Sequence, residues 1–142
     1  MGFDRVDELK KKLDEHGPLD PALAEKLREV YRVEWTYHSN ALEGNTLTLL
    51  ETKIVLEGLT VGHGKSLKEH FEAVNHAEAI DYLEAVVSKN EPLTEQVLKH
   101  IHYLVIKNID NQNAGQYRKR NVRISGSQHV PPDFLTVQDE MV

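Results

Sequence analysis

The chain has no cysteine among its 142 residues. That excludes disulfides, thiolate nucleophiles, iron–sulfur clusters and cysteine-ligated zinc. Long apolar runs are also missing, so no segment is expected to span a membrane. The N-terminus mixes charges at once with Asp4, Arg5 and Asp7, and lacks the apolar centre of a signal sequence. Cationic excess is absent as well: 17 Lys+Arg stand against 23 Asp+Glu, a formal charge of −6. This balance argues against a surface built to hold nucleic acid or anionic lipid. No low-complexity tract, internal repeat or linker interrupts the chain. A single domain over residues 1–142, soluble and cytoplasmic, is the expectation.

What is present reads mainly as helix. Val6, Leu9 and Leu13 form a short stripe between Asp4 and His16, stopped by Gly17 and Pro18. Asp20 and Pro21 supply an N-cap and a first-turn proline. From there Leu23, Leu27, Val30, Tyr31, Trp35, His38 and Leu42 recur at helical steps, and Gly44 is a stop, giving a helical segment over 20–45. Thr48 with Glu51, and Ser66 with Glu69, are capping boxes that open two further helices. The first runs to Glu57, and the second carries its stripe from Leu67 to Val87 and ends near Asn90. A flexible turn, Val61 to Gly64, separates them, and Pro92 precedes a helix with Val97, Ile101, Leu104 and Val105 on one side.

Residues 111–132 differ. Tyr117 to Ile124 is rich in β-formers, with Val122 and Ile124 on one face and Arg123 on the other. A turn at Ser125, Gly126 and Ser127 would return Gln128 to Val130 as a second strand, so a β-hairpin is predicted over 117–130. Arg118, Lys119, Arg120 and Arg123 make it basic, with no acidic residue between Asn111 and Gln128. Thr136 to Val142 reads as the first turns of a helix.

Ser39 and Glu43 lie one helical turn apart and share a face. Glu43 falls in the last turn, where the helix carries partial negative charge and a carboxylate costs about 0.3–1 kcal/mol unless offset. A local rule broken without visible compensation points to function. The alternative is a solvated glutamate at a fraying end.

The spacing Ser39-x-x-x-Glu43, followed by Gly44 and Asn45, resembles the inhibitory-helix motif of Fic-family proteins. Lys65, Ser66, Glu69, His70, Glu72, Asn75, His76 and Ala79 look like the helix that follows it there. Ile101, His102, Gly115, Tyr117, Arg118, Val122, Ile124, Gly126, His129, Pro131 and Pro132 are similar to the family's helix-then-flap segment. Order and spacing hold from about Tyr31 to Pro132. The resemblance implies a mainly α fold, a bundle of about five helices with one β-hairpin, the N-terminal part of a Fic fold.

It also implies a function. Fic enzymes mostly transfer AMP from ATP, with Mg2+, to a hydroxyl side chain of a target protein. Their signature, His-Pro-Phe-x-x-Gly-Asn-Gly-Arg, supplies a base histidine, arginines for the ATP phosphates and a phosphate-cradling helix N-terminus. By resemblance Glu43 would pair with a signature arginine and take the space of the γ-phosphate, and Ser39 would help fix the inhibitory helix. The hairpin, through Val122, Arg123 and Ile124, would register the target by β-strand addition. Some members use the same glutamate to remove AMP.

Neither His-Pro-Phe nor Gly-Asn-Gly-Arg occurs in this sequence, and none of the eight histidines precedes a proline. Truncation, a decayed reading frame or a stand-alone regulatory piece would each account for it, and the half-begun terminal helix favours truncation. The chain alone is therefore expected to have no catalytic residue, to bind ATP poorly and to be inactive. The protein substrate is the expected partner, and homo-oligomerisation is left open. One rival is an interaction module that offers Ser39 and Glu43 in trans to a Fic enzyme. Another is a winged-helix-like nucleic-acid binder built from helix 95–108 and the basic hairpin, disfavoured by the net charge. No metal site is expected, since the histidines lack His-Glu-x-x-His spacing. His76 and His102 are expected to anchor packed helices, and Trp35 and Tyr37 to lie in the core.

Overall fold

The computed structural model describes residues 3–62 and 64–141. His63, in the turn expected from Val61 to Gly64, lies outside the described residues. In chain order come α1 (Asp4–Glu15), α2 (Pro21–Leu42), α3 (Leu49–Leu56), α4 (Leu67–Ser88) and α5 (Glu95–Ile106), then a short 3-10 turn (Asp139–Met141). Contacts gather the chain into two compact units, one reaching to Tyr31 and one starting at Arg32. No described helix is long and apolar enough to cross a membrane.

In the first unit, α1 buries no residue and is laced along its surface by Lys10–Asp14 and Lys12–Glu8 pairs at 2.8 and 2.6 Å. Exposed pairs one turn apart add only about 0.3–0.5 kcal/mol each. Asp20 starts α2 as expected: its Oδ1 accepts from the amides of Ala22 and Leu23 at 3.0 and 3.1 Å.

In the second unit α4 is the hub, packing against both α3 and α5. Leu47, Val55 and Ala73 form a buried cluster with Val61 against it. Ala73 and Ala77, one turn apart on α4, are fully buried, and Val86, Val97 and Leu104 are buried with them. Both capping boxes form as the sequence predicts, Thr48 with Glu51 on α3 and Ser66 with Glu69 on α4. Each hydroxyl cap contributes about 1 kcal/mol. At its C-terminus α4 ends on Asn90, whose φ of 53° is left-handed. Asn75 is buried in the same unit and donates through Nδ2 to the carbonyls of Val105 and Lys107 at 3.1 and 2.5 Å. It thereby satisfies backbone acceptors at the end of α5 that the helix itself leaves open.

Two expectations are corrected. The apolar stripe of α2 does not become core: Leu23, Val30 and Tyr31 are exposed and Trp35 is 55% exposed. The buried residue of α2 is Thr36, and α2 meets α4 through polar groups. Arg32 grips Asp81 with two parallel bonds of 2.8 and 2.7 Å, and Thr36 Oγ lies 3.2 Å from His76 Nδ1. Burial holds the His76 imidazole below its usual value, favouring the neutral ring. His76 thus anchors two helices, as expected. His102 instead binds a loop, accepting from the Gly115 amide at 3.2 Å.

The second correction concerns the flap. No strand forms among the described residues, and 117–130 is irregular chain with turns. Residues 119–130 are all exposed, so neither face of the alternation packs on anything. An isolated two-stranded hairpin is marginal without a packed face. Side chains close the loop instead. Arg118 Nη2 donates to the Pro132 carbonyl. Asn121 donates to Asp133 Oδ2 at 2.8 Å and accepts from the Phe134 amide at 2.8 Å. Asp133 Oδ1 accepts from the Leu135 amide, and these contacts hold its carboxyl below the ordinary range. Beyond it, Phe134 to Gln138 is turn, so the terminal helix appears only as the short 3-10 segment.

Candidate functional site

The segment singled out by the sequence, Ser39 to Asn45, sits at the C-terminal end of α2. The amides of Gly44 and Asn45 donate back to the carbonyls of Ala41 and Asn40 at 3.1 and 2.9 Å. This is the paired closure that terminates a helix through a left-handed residue, here Gly44 with φ +92°. An added Cβ at Gly44 would meet nothing within 4 Å. The requirement for glycine is therefore one of backbone conformation and not of space.

Glu43 is the residue just before that turn. It is exposed, and its carboxylate has no hydrogen-bond or ion-pair partner among the described residues. The cost of a negative group at a helix C-terminus is thus not offset. Ser39 is half-buried one turn earlier.

Asn45 begins a dense polar clamp. Its Nδ2 donates to the Glu69 carbonyl at 3.1 Å and to Glu72 Oε2 at 2.9 Å, and its Oδ1 accepts from the Leu47 amide. Thr46 presents its amide and hydroxyl to Glu69 Oε1 at 2.9 and 2.5 Å. Glu69 Oε2 meanwhile accepts from the amide and hydroxyl of Ser66 at 2.7 and 2.8 Å. With donors on both oxygens, those of Thr46 foremost, the Glu69 carboxyl is pulled down from 4.5 to about 2. Lys65 Nζ donates to the Thr46 carbonyl and lies 3.6 Å from Glu51 Oε2. Glu51 is itself held low, first by the Thr48 amide. His70 completes the base of the clamp: it is buried, with Nδ1 2.8 Å from the Ser66 carbonyl and Nε2 accepting from the Val61 amide.

The structure thus ties Asn45 and Thr46 to α4 and leaves Glu43, just before Gly44, exposed and unpaired among the described residues. Sequence reasoning found Ser66 and Glu69 only as a local cap. It missed that the same carboxylate reaches Thr46, a contact across 23 positions that no periodicity reports. Arg32 with Asp81 was missed for the same reason.

Val122 and Ile124 are 46% and 54% exposed, and Arg123 is exposed between them. A cavity of about 470 Å³ lies elsewhere, against α5, lined by Lys99, His102, Asp110, Tyr117 and Arg118 among others. It contains none of the residues from Ser39 to Asn45. Among the described residues no group of three or more His, Asp or Glu is placed to hold a metal ion.

No family model matches the chain. Curated relatives do. It is 34% identical over 131 residues to a protein adenylyltransferase Fic of Culex quinquefasciatus, an alignment covering 92% of this chain and 26% of that protein. It is 35% identical over 140 residues to one of Nematostella vectensis, covering 98% and 32% respectively. The chain therefore spans about a quarter to a third of the length of these relatives. Among solved structures, a Fic-domain-containing signalling protein of Bacteroides thetaiotaomicron superposes with a TM-score of 0.72 at 30% identity, over 82% of this chain and 44% of the other. Fic-1 of C. elegans gives 0.76 at 27% identity, over 98% and 40%. With sequence and fold agreeing over nearly its whole length, the chain belongs to the Fic family.

Proposed function

We propose that this chain is the part of a protein adenylyltransferase that carries an inhibitory glutamate and receives the target protein. In the complete family fold, AMP would pass from ATP to a hydroxyl side chain of the target. Glu43, fixed by Ser39 and the Gly44–Asn45 turn, would hold that transfer off. Residues 122–124 would receive the target. The observation that supports this reading most is Glu43 itself: a carboxylate without a partner, on a helix end whose next residues are bound to α4. A group kept unpaired at an unfavourable helix position fits a partner supplied from elsewhere, and an arginine is the natural one.

The 142-residue chain alone lacks the histidine and arginines of the signature, and neither catalysis nor firm ATP binding is assigned to it. A cysteine-free chain suits a reducing compartment, and the cytoplasm is the assigned setting.

Two assays test the reading. The bare chain, given ATP labelled on its AMP moiety, should label neither itself nor added protein. In the full gene product containing this segment, Glu43→Gly should raise AMP incorporation by about tenfold or more, the loss of about 1.4 kcal/mol of inhibition. Labelling by the bare chain would overturn the first statement, and unchanged incorporation in Glu43→Gly the second.

A further inference from the structure

The loop that follows Arg118 bears on which targets such a protein would accept. Four of the 17 Lys+Arg of this acidic chain fall at Arg118, Lys119, Arg120 and Arg123. Arg118 is engaged, through the Pro132 carbonyl and the nearby Asp133 carboxylate. Lys119, Arg120 and Arg123 are exposed and have no ion pair or hydrogen bond among the described residues. The flanking carboxylates in sequence are Asp110 and Asp133, and both are occupied: Asp110 by Asn113, Asp133 by Asn121 and the Leu135 amide.

The backbone beside these cations is open as well. Neither Val122 nor Arg123 makes a backbone hydrogen bond among the described residues, and Ile124 makes one, accepting from Ser127. Unpaired amides and carbonyls in extended chain are a template for an incoming strand. Val122 and Ile124 offer apolar surface at alternate positions, with Arg123 between them. The Asn121–Asp133–Phe134 clasp fixes both ends of the loop.

We infer that this edge selects acidic targets: an extended peptide segment whose Asp or Glu side chains meet Lys119, Arg120 and Arg123 while its main chain pairs with residues 122–124. The inference rests on the proposed role of this loop and names the chemistry of its partner. Three free cations on a chain of net charge −6 suit a few carboxylates better than the dense phosphates of a nucleic acid, which the rest of the surface would repel. Complementary charge at such an edge speeds encounter and rejects wrong partners more than it adds raw affinity.

The test uses the 142-residue chain and fluorescent extended peptides with valine at alternate positions and Glu, Gln or Lys between. Anisotropy at low and high salt gives affinity, and deuterium exchange at 122–124 gives location. The Glu peptide should bind about tenfold tighter than the Gln peptide, lose that advantage at high salt and protect the amides of 122–124. The double variant Arg120→Glu/Arg123→Glu should abolish the preference, while Lys53→Glu, an equal charge change per site at an exposed residue of α3, should not. Circular dichroism melting confirms that each variant is folded. Equal binding of the Glu and Gln peptides, with protection at 122–124, would overturn the charge selection and leave the docking role standing. Failure of both peptides to bind would sink the two together. A single-stranded oligonucleotide that competes as well as the Glu peptide would also overturn the proposal.

Discussion

The two segments that carry the proposed function are built in opposite ways. Just past the end of α2, Asn45 and Thr46 are tied to α4 by bonds that fill both oxygens of Glu69, together with Ser66, and most of the capacity of Asn45. In the loop 119–130, bonds exist at the neck and almost none in between. One segment is positioned from within the chain. The other leaves most of its backbone groups and its three cations unpaired among the described residues. A segment meant to hold another group in place needs the first design, and one meant to receive a strand needs the second.

Substitutions can break this contrast, the largest effect falling on the hub helix α4. Asn75→Ala removes the donor for two carbonyls at the end of α5 and should destabilise the fold by about 3 kcal/mol. Urea unfolding checks this, and a change under about 1 kcal/mol would mean that water replaces the amide.

Glu69→Gln comes next. It keeps the size of the side chain but removes the charge and an acceptor, with an expected cost of about 1–2 kcal/mol after allowance for solvent screening. The sign of its pH dependence is fixed by the lowered pKa. Wild type should hold this extra stability above about pH 4.5 and lose it as the pH falls towards about 2, where the two proteins converge. Melting temperature against pH reads this directly, and parallel curves for the two would refute the clamp's role.

Gly44→Ala forces a Cβ into a left-handed conformation without a clash, and should cost about 1 kcal/mol. Gly44→Asn should cost less, because asparagine tolerates that region better.

Asn121→Ala should change global stability by less than about 0.5 kcal/mol, since the clasp is exposed. Amide exchange of 122–134 should nonetheless accelerate while α4 and α5 keep their protection. A rise spread over the whole molecule would mean that the loop is part of the core and would erase the contrast.

What the sequence disclosed divides along the same line. Local chemistry was legible: Asp20 before Pro21, the hydroxyls of Thr48 and Ser66 three residues before Glu51 and Glu69, and Gly44 at the end of α2 all act within a turn of themselves. The flap was misread because alternation at Val122, Arg123 and Ile124 reports which way side chains point and not whether a partner strand exists. The stripe on α2 misled in the same manner. Its period is helical, but periodicity does not say that the helix is held by Arg32 and Thr36 while Trp35 stays half in solvent. Of the candidate site, the residues were visible and their tethers were not, because Thr46 to Glu69 and Arg32 to Asp81 are fixed by tertiary closure.

Glu69 divides its two oxygens between two tasks, one starting α4 and one closing the segment after Gly44. Because a single carboxylate serves both, the first turn of α4 and the segment that closes α2 are thermodynamically coupled. Fraying at Ser66 weakens the hold on Thr46, and loosening at Thr46 weakens the start of α4. Their opening free energies should therefore be shared, so that substitutions at Ser66 and Thr46 combine non-additively and the two segments exchange their amides as one cooperative unit.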